Sequence, residues 1–359
     1  MTSELGRLIA RRIALTGPIS IADFMAEALG HPRLGYYRKA LAVGAAGDFI
    51  TAPEVSQMFG ELLGAWLAER WQAMGRPQPV RLVELGPGRG ALMTDALRAT
   101  SGVAGFHAAI DLHLVEINER LKDLQRTALG AFKPTWHARL DDVPEGPMLL
   151  IANEFFDALP VRQFEKTPQG WSERMVGLAA DGETLRLALA PGVTPYASLL
   201  PDAPAGAQAE ICEAGQAVAA TLGTRLRRDG GWALIIDYGQ EGSGASLQAV
   251  RGHRGADILD RPGETDLSAH VDFKALAEAT GLPCFGPVGQ GAFLRRLGIM
   301  QRAETLKARA SEDQHRAIDA ALARLIDPDQ MGTLFRVLAV GDNRSAAPAG
   351  FSDTPSDAT

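Results

Sequence analysis

Several features that mark specialised proteins are missing from this chain of 359 residues. Cysteine occurs only as Cys212 and Cys284, far apart and with no CxxC spacing. This excludes a disulfide framework and a cysteine zinc site, so no metal is expected, and it points to a reducing compartment. No apolar run approaches the roughly twenty residues that a membrane span needs. Basic residues do not prevail either: 36 Lys and Arg stand against 43 Asp and Glu, a formal net charge of -7, which argues against a nucleic-acid surface. The remainder, 46% hydrophobic and 22% charged, is an ordinary globular composition. Its length suits one large α/β domain with insertions, or two domains.

The most informative stretch is Arg81 to Gly90, RLVELGPGRG. Val80, Leu82, Val83 and Leu85 form a short apolar run that stops at Gly86, Gly88 and Gly90, and helical spacing begins at Ala91. This reads as a buried strand turning into a helix. Glycine permits positive φ and lets a ligand lie against bare backbone, while the new helix offers unpaired N–H groups. Such a turn is a cofactor crevice at the carboxyl end of a parallel strand. The glycines fit both GxGxG and a loose dinucleotide fingerprint. Two acids favour S-adenosylmethionine over a dinucleotide. Glu84 would repel a pyrophosphate but hold the ammonium of a methionine moiety, and Glu116, ending the strand Leu112 to Glu116, can accept the ribose hydroxyls.

Further along, Asn118 to Leu129 reads as a crossover helix and Pro134 to His137 as a third strand, with adenine expected near His137 to Asp141. Met148 to Ala152 is an unbroken apolar strand that delivers Asn153, Glu154, Phe155, Phe156 and Asp157 to the same pocket. Val161 to Phe164, Trp171 to Gly177 and Thr184 to Ala190 look like inserted antiparallel strands, serving either a dimer surface or a substrate wall. Glu210 to Arg227 reads as a return helix, and Trp232 to Gly239 as a fifth strand with Asp237 and Tyr238 at its pocket end. Phe273 to Thr280 (helix), Leu282 to Gly286 (strand), Leu297 to Arg324 (mostly helical) and Thr333 to Val340 (strand) complete the chain. The expectation is an α/β, doubly wound, mostly parallel seven-stranded sheet whose closing pair is antiparallel, with an N-terminal helical cap and inserted antiparallel strands.

The first 76 residues are expected to form that cap and a loop over the cofactor. Residues 77 to 345 would be the main domain, with insertions at about 161 to 212 and 240 to 290, and 346 to 359 a disordered tail. Within the cap, MTSELGRLIARRIAL reads as a helix packed on the body rather than a targeting segment, because Glu4 breaks the acid-poor pattern and no cleavage site follows. Ser20 is a plausible N-cap, and a long helix is expected from Glu54 to Met74, capped by Thr51. The loop before it, with Asp48, Thr51 and Pro53, is either a plain surface loop or a flap over the crevice.

The strings GDFITAPEVSQMFGELLGAW, VELGPGRGALMTDALR, HLVEINERL, NEFFDALPVRQF, ALIIDYG, LQAVRGH, DLSAHVDF and MGTLFRVLA occur in the order seen in the MidA-like family of class I methyltransferases. The resemblance runs from about Gly17 to Ala339. It implies a Rossmann-like enzyme that uses S-adenosylmethionine, related to a mitochondrial arginine methyltransferase needed for assembly of respiratory complex I, whose substrate is a core subunit. By this resemblance Gly86, Gly88 and Gly90 would wrap the methionine and ribose, Glu116 would bind the ribose, and the segment with Thr51 and Pro53 would help close the pocket. One departure is visible: Ala245-Ser246 stands where the family commonly has Asp-Thr. A bacterial-type chain without a transit peptide is expected in the cytoplasm.

Chemistry narrows the acceptor. A guanidinium is a poor nucleophile and can be held by paired carboxylates through bidentate hydrogen bonds. Glu154 and Asp157 are the first candidates for that role, with Asp48 beside them; the alternative for Asp157 is a helix N-cap. The cofactor set is Glu84, Gly86, Gly88, Gly90, Glu116, Asn153, Thr51 and Pro53. Asp237 and Tyr238 form a second tier, and His253 and His270 are candidate proton acceptors or structural histidines. Asp272 is expected to cap a helix, and Trp136 and Phe155 to stack on adenine or fill the core. The expected partner is a protein, a complex I core subunit, with a homodimer possible and no nucleic acid. Competing readings are a methyltransferase for a small molecule or another side chain, a non-catalytic assembly factor, and an NAD-dependent oxidoreductase.

Overall fold

The structure, a computed structural model, describes residues 3–39, 51–239, 244–341 and 347–351. Its central layer is a sheet of seven strands: β1 (Val80–Leu85), β2 (Ile110–Val115), β3 (Thr135–His137), β4 (Met148–Asn153), β5 (Gly231–Tyr238), β6 (Cys284–Gly289) and β7 (Phe335–Gly341). Their order is β6-β7-β5-β4-β1-β2-β3. The five strands from β5 to β3 are parallel, whereas β7 runs antiparallel to β5 and β6 antiparallel to β7. The order reverses between β1 and β4, so their carboxyl ends open one crevice.

The helices used below are α1 (Glu4–Thr16), α2 (Ile21–Gly30), α3 (Gln57–Ala73), α4 (Ala91–Ala99), α5 (Glu119–Leu129), α6 (Glu213–Asp229) and α7 (Phe273–Thr280). One face of the sheet is covered by Phe59, Leu63, Trp66 and Trp71 of α3 together with α4 and the C-terminal helices. The other face is covered by Ala219, Leu222 and Leu226 of α6 and Phe273 and Leu276 of α7. Helices α3 and α4 touch through backbone: a Cβ on Gly64 would stand 2.5 Å from the Ala96 carbonyl oxygen. This close packing fixes α4, and with it the glycine turn from which α4 springs.

Two smaller sheets flank this layer. The first is antiparallel and joins Ile19–Ser20, Arg162–Thr167, Gly170–Leu178, Leu185–Leu189 and Gln208–Ile211. The second holds Gln248–Arg251, Arg254–Ala256 and Asp266–Ser268. Helices α1 and α2 bury Leu5, Ile9, Ile13, Phe24 and Met25 against Val176, Ala249 and Leu267, so the N-terminal segment ties both sheets together. Ser20 caps α2 by accepting the Asp23 N–H, and Asp272 caps α7 by accepting that of Ala275.

Five expectations need correcting. The helix drawn from Glu54 to Met74 is two, Ala52–Val55 and Gln57–Ala73, because Ser56 is extended and its hydroxyl accepts the Met58 N–H. Thr51 stands at the start of the shorter helix but makes no side-chain cap. The return helix starts at Glu213, since Gln208–Ile211 is drawn into strand pairing with Arg162–Thr167. Phe273–Thr280 and Cys284–Gly289, placed in the second insertion, belong to the central layer. Finally, residues 347–351 of the expected tail pack back on the core: Phe351 is buried beside Phe293, and Trp66 donates to the Ala349 carbonyl.

Candidate active site

Past β1 the chain makes its glycine turn, with φ of 62° at Gly86, 53° at Gly88 and 84° at Gly90. Gly90 is the N-cap of α4 and brings no side chain to the helix end. A small chamber of about 60 Å³ lies against this turn, lined by Glu84, Gly86, Gly88, Asn153, Thr51, Pro53 and Glu54 among others. It adjoins a larger cavity of about 640 Å³ that shares Gly86, Gly88, Thr51 and Glu154.

Glu84 is buried, and burial raises its carboxyl to about 8. Its Oε2 and the Oδ1 of neighbouring Asn153 are buried without a hydrogen-bond partner. Two orphaned acceptors cost free energy unless a ligand supplies donors. S-adenosylmethionine fits: its ammonium carries three N–H donors, and its carboxylate suits the uncapped helix end. Glu116, at the carboxyl end of β2, accepts the Asn118 N–H at 2.7 Å and lines the larger cavity, where burial raises its carboxyl.

A buried hub that the sequence reading missed braces this end. Gln125 donates to the Gly88 carbonyl at 2.7 Å and to Glu116 at 3.4 Å, while the Trp136 indole donates to it at 2.8 Å. A glutamine four residues from both Leu121 and Leu129, on the buried stripe of α5, was the available signal. Trp136 of β3 is therefore turned onto α5, with Arg126 over its ring, whereas Phe155 lines the cavity against Gly86. Ala138, Arg139, Leu140 and Asp141 line the end where adenine was expected.

The chain leaving β4 turns sharply at Glu154, whose φ is 52°. The turn is organised by Asp237, wholly buried at the end of β5. Its Oδ2 accepts the N–H groups of Phe155, Phe156 and Asp157, and its Oδ1 accepts that of Tyr238. Glu154 Oε1 accepts the Ala52 N–H at 3.1 Å and the Asn153 amide at 3.2 Å, linking this turn to the segment before α3. Burial and nearby Asp157 raise Glu154 to about 8, and burial raises Asp157 to about 7. Asp237 is also pushed up by burial and by its acidic neighbours. No helix follows Asp157, so the capping alternative fails and the side chain lines the cavity.

Glu84, Gly86, Gly88, Glu116, Asn153, Thr51, Pro53, Glu154 and Asp157 thus surround two joined chambers, with Gly90 just behind at the start of α4. Asp48 lies outside the described residues. His253 sits in the exposed turn between Gln248–Arg251 and Arg254–Ala256, away from the cavity. The His270 ring stacks on Tyr238, and the His270 backbone N–H donates to the Ser246 hydroxyl, which in turn donates to Glu210. The hydroxyl retained at the family's Asp-Thr position is therefore structural. Tyr37, Asp266 and Ser268 also line the cavity and were not proposed as site residues. Among the described residues no group of His, Cys, Asp and Glu could hold a metal ion, and no helix is long and apolar enough to cross a membrane.

Residues 62–288 match the family described as "Putative S-adenosyl-L-methionine-dependent methyltransferase". The chain is 36% identical over 360 residues to protein arginine methyltransferase NDUFAF7, mitochondrial, of Danio rerio, covering 92% of this chain and 85% of the relative. It is 38% identical over 371 residues to the Drosophila melanogaster homolog (94% and 84%) and 36% identical over 365 residues to the Homo sapiens protein (93% and 82%). A crystal structure of a COG1565 superfamily member from Burkholderia thailandensis bound to S-adenosyl-homocysteine superposes with a TM-score of 0.84 at 29% identity, covering 97% of this chain and 94% of that one. The cytoplasmic location expected from the sequence is overturned by these relatives, which are named mitochondrial.

Proposed function

Because the chain belongs to the S-adenosylmethionine-dependent methyltransferase family matched by residues 62–288, with a class I α/β fold, we propose that it methylates an arginine of a protein, a core subunit of respiratory complex I during assembly. The acceptor reading is supported by relatives named protein arginine methyltransferases. One arrangement carries it: orphaned Glu84 Oε2 and Asn153 Oδ1 beside the glycine turn, opening into a cavity that gathers Glu154 and Asp157. Within this reading α1 and α2 form the cap, α3 belongs to the catalytic domain because it covers one face of its sheet, and the seven-stranded sheet is that domain's doubly wound frame.

When bound, S-adenosylmethionine supplies a methyl group activated on a sulfonium. Glu84 and Asn153 would hold its ammonium, the turn Gly86 to Gly90 its backbone-facing atoms, and Glu116 its ribose. The protein's own part is alignment and proton handling. Leu85, Val115, Leu159 and Pro160 give the cavity apolar walls around the acidic turn. Transfer would form the acceptor N–C bond as the methyl–sulfur bond breaks and leaves a neutral thioether. The acceptor nitrogen would give up one proton to the ionised form of Glu154, which lines both chambers and whose ionised share grows as pH approaches its raised value of about 8. Asp157, on the same turn, holds positive charge on the rest of the guanidinium.

Calorimetric titration with S-adenosylhomocysteine, with NAD as control, tests the cofactor end. The intact protein should bind the adenosyl ligand and not NAD. Gly88→Val, forced into positive φ, should lose at least about a hundredfold in affinity. Radiolabelled methyl transfer into complex I subunits, followed by amino-acid analysis for methylarginine, tests the acceptor. Label recovered only in small molecules, or in another side chain, would refute it.

A further inference from the structure

Asp266 comes from the small three-stranded insertion, far in sequence from the glycine turn, yet it reaches the same cavity. Its strand, Asp266–Ser268, pairs with Gln248–Arg251, and residues 266 and 268 share the face that lines the cavity. Just beyond, the Ala269 N–H donates to the Asp157 carbonyl at 2.9 Å and the Val271 N–H to the Tyr238 carbonyl at 2.8 Å. The insertion is thus stitched to the turns after β4 and β5, and Asp266 has a fixed place relative to Asp157.

The carboxylate is oriented as well as placed. Asp266 Oδ1 accepts the Tyr37 hydroxyl at 3.1 Å and the Leu267 N–H at 2.9 Å. Tyr37, Asp157 and Asp266 line one stretch of the cavity, and burial first, then Asp266 and Asp157, raises the Tyr37 hydroxyl above its ordinary range. Asn118 binds the Tyr37 carbonyl at 2.5 Å, which anchors that stretch to the ribose end of the site. Along the same cavity Met25, Ala26 and Leu29 of α2 present an apolar wall. Glu154 borders both chambers and has Oε1 engaged by Ala52 and Asn153, so it stands nearer the cofactor than this stretch does.

We propose that Asp266, oriented by Tyr37, forms with Asp157 the guanidinium clamp of the acceptor subsite, the substrate's alkyl stem lying along Met25, Ala26 and Leu29. This deepens the arginine methyltransferase reading and rests on it. A planar guanidinium presents five N–H donors in a fixed fork and can engage two carboxylates on different walls. An ammonium is a point charge without that fork, so the pair selects arginine over lysine. The apolar wall accepts a methylene stem and gives a polar acceptor no partner.

Two adenosine probes separate this assignment from general damage: one carries a guanidinopropyl group at the 5′ position, the other a propyl group. Calorimetry on the intact protein should show the guanidine probe binding at least about tenfold tighter. Asp266→Asn should cut that gap to within about twofold while leaving S-adenosylhomocysteine affinity unchanged, which also certifies folding; Tyr37→Phe should cut it less. A full gap in Asp266→Asn overturns the clamp. If the gap survives there but vanishes in Asp157→Asn, the arginine reading stands without Asp266. If the wild type shows no gap, both the clamp and an arginine acceptor fall.

Discussion

The two ends of the large cavity are built in different ways. The end proposed for the cofactor is local: Glu84, Gly86, Gly88 and Gly90 are nearly consecutive, Asn153 ends and Glu116 directly follows the two strands that flank β1. The acceptor end is assembled from α2, the one-turn helix Tyr36–Lys39, the turn after β4, the end of β5 and the small inserted sheet. A strand, a turn and a helix N-terminus suffice for the first, which is why many chains can share it. The second depends on how separate segments pack, and it is there that a substrate can be chosen.

This contrast can be broken most sharply by the acids after β4. Asp157→Asn and Glu154→Gln should each lower kcat by about a hundredfold or more, the range expected for lost acid–base and charge positioning. Both should leave S-adenosylhomocysteine affinity within a few-fold; steady-state kinetics beside calorimetry reads the two separately. If either variant instead lost cofactor affinity in step with rate, the two ends would not be functionally distinct.

A smaller effect is expected in the opposite sense at Glu84. Glu84→Gln removes the negative partner proposed for the ligand's ammonium, and affinity should fall by about tenfold to a hundredfold, roughly 1.5 to 3 kcal/mol. The unliganded protein should melt higher, because a buried, orphaned acid has been replaced by a neutral amide. Thermal melts with and without ligand would show the two shifts with opposite signs. Unaltered affinity would remove Glu84 from the cofactor site.

The smallest effect is a pH dependence that both ends share. Glu84 and Glu154 at about 8 and Asp157 at about 7 lie above the ordinary carboxylate range. Between roughly pH 5 and 8 the folded protein keeps protons that the unfolded chain has lost, so stability of the unliganded protein falls as pH rises through that window and levels off above it. Melting temperature should decline from pH 6 to 8. Ligand affinity should rise over the same interval, because ionised Glu84 is the form that pairs with an ammonium. Glu84→Gln should flatten both curves.

Legibility followed the same division. Alternation of apolar strands with amphipathic helices exposed the sheet, and the glycines exposed the turn between β1 and α4, because each is encoded by neighbours a few positions apart. Asp272 and Ser20 were readable as caps for the same reason. The break at Ser56 and the late start of α6 were not, since a single hydroxyl and a distant pairing partner, Arg162–Thr167, decide them. Gln125 showed only as a polar residue on an apolar stripe. Nothing near Asp266 in sequence announced its role, for its partner Tyr37 is 229 positions away.

By itself the sequence determined an α/β sheet with a glycine turn at the end of its first parallel strand and two acids just past the fourth. Hydrophobic period, glycine's freedom at positive φ and the rule of strand ends are local properties, and they need no tertiary information. Only the tertiary structure decided that Asp237 gathers three N–H groups of the Glu154 turn, that Ser246 is a structural tie, and that Tyr37 and Asp266 line one stretch of the cavity with Asp157. Those contacts join residues far apart in the chain, and packing of the inserted sheet and α2 against the strand ends is what brings them within hydrogen-bonding reach.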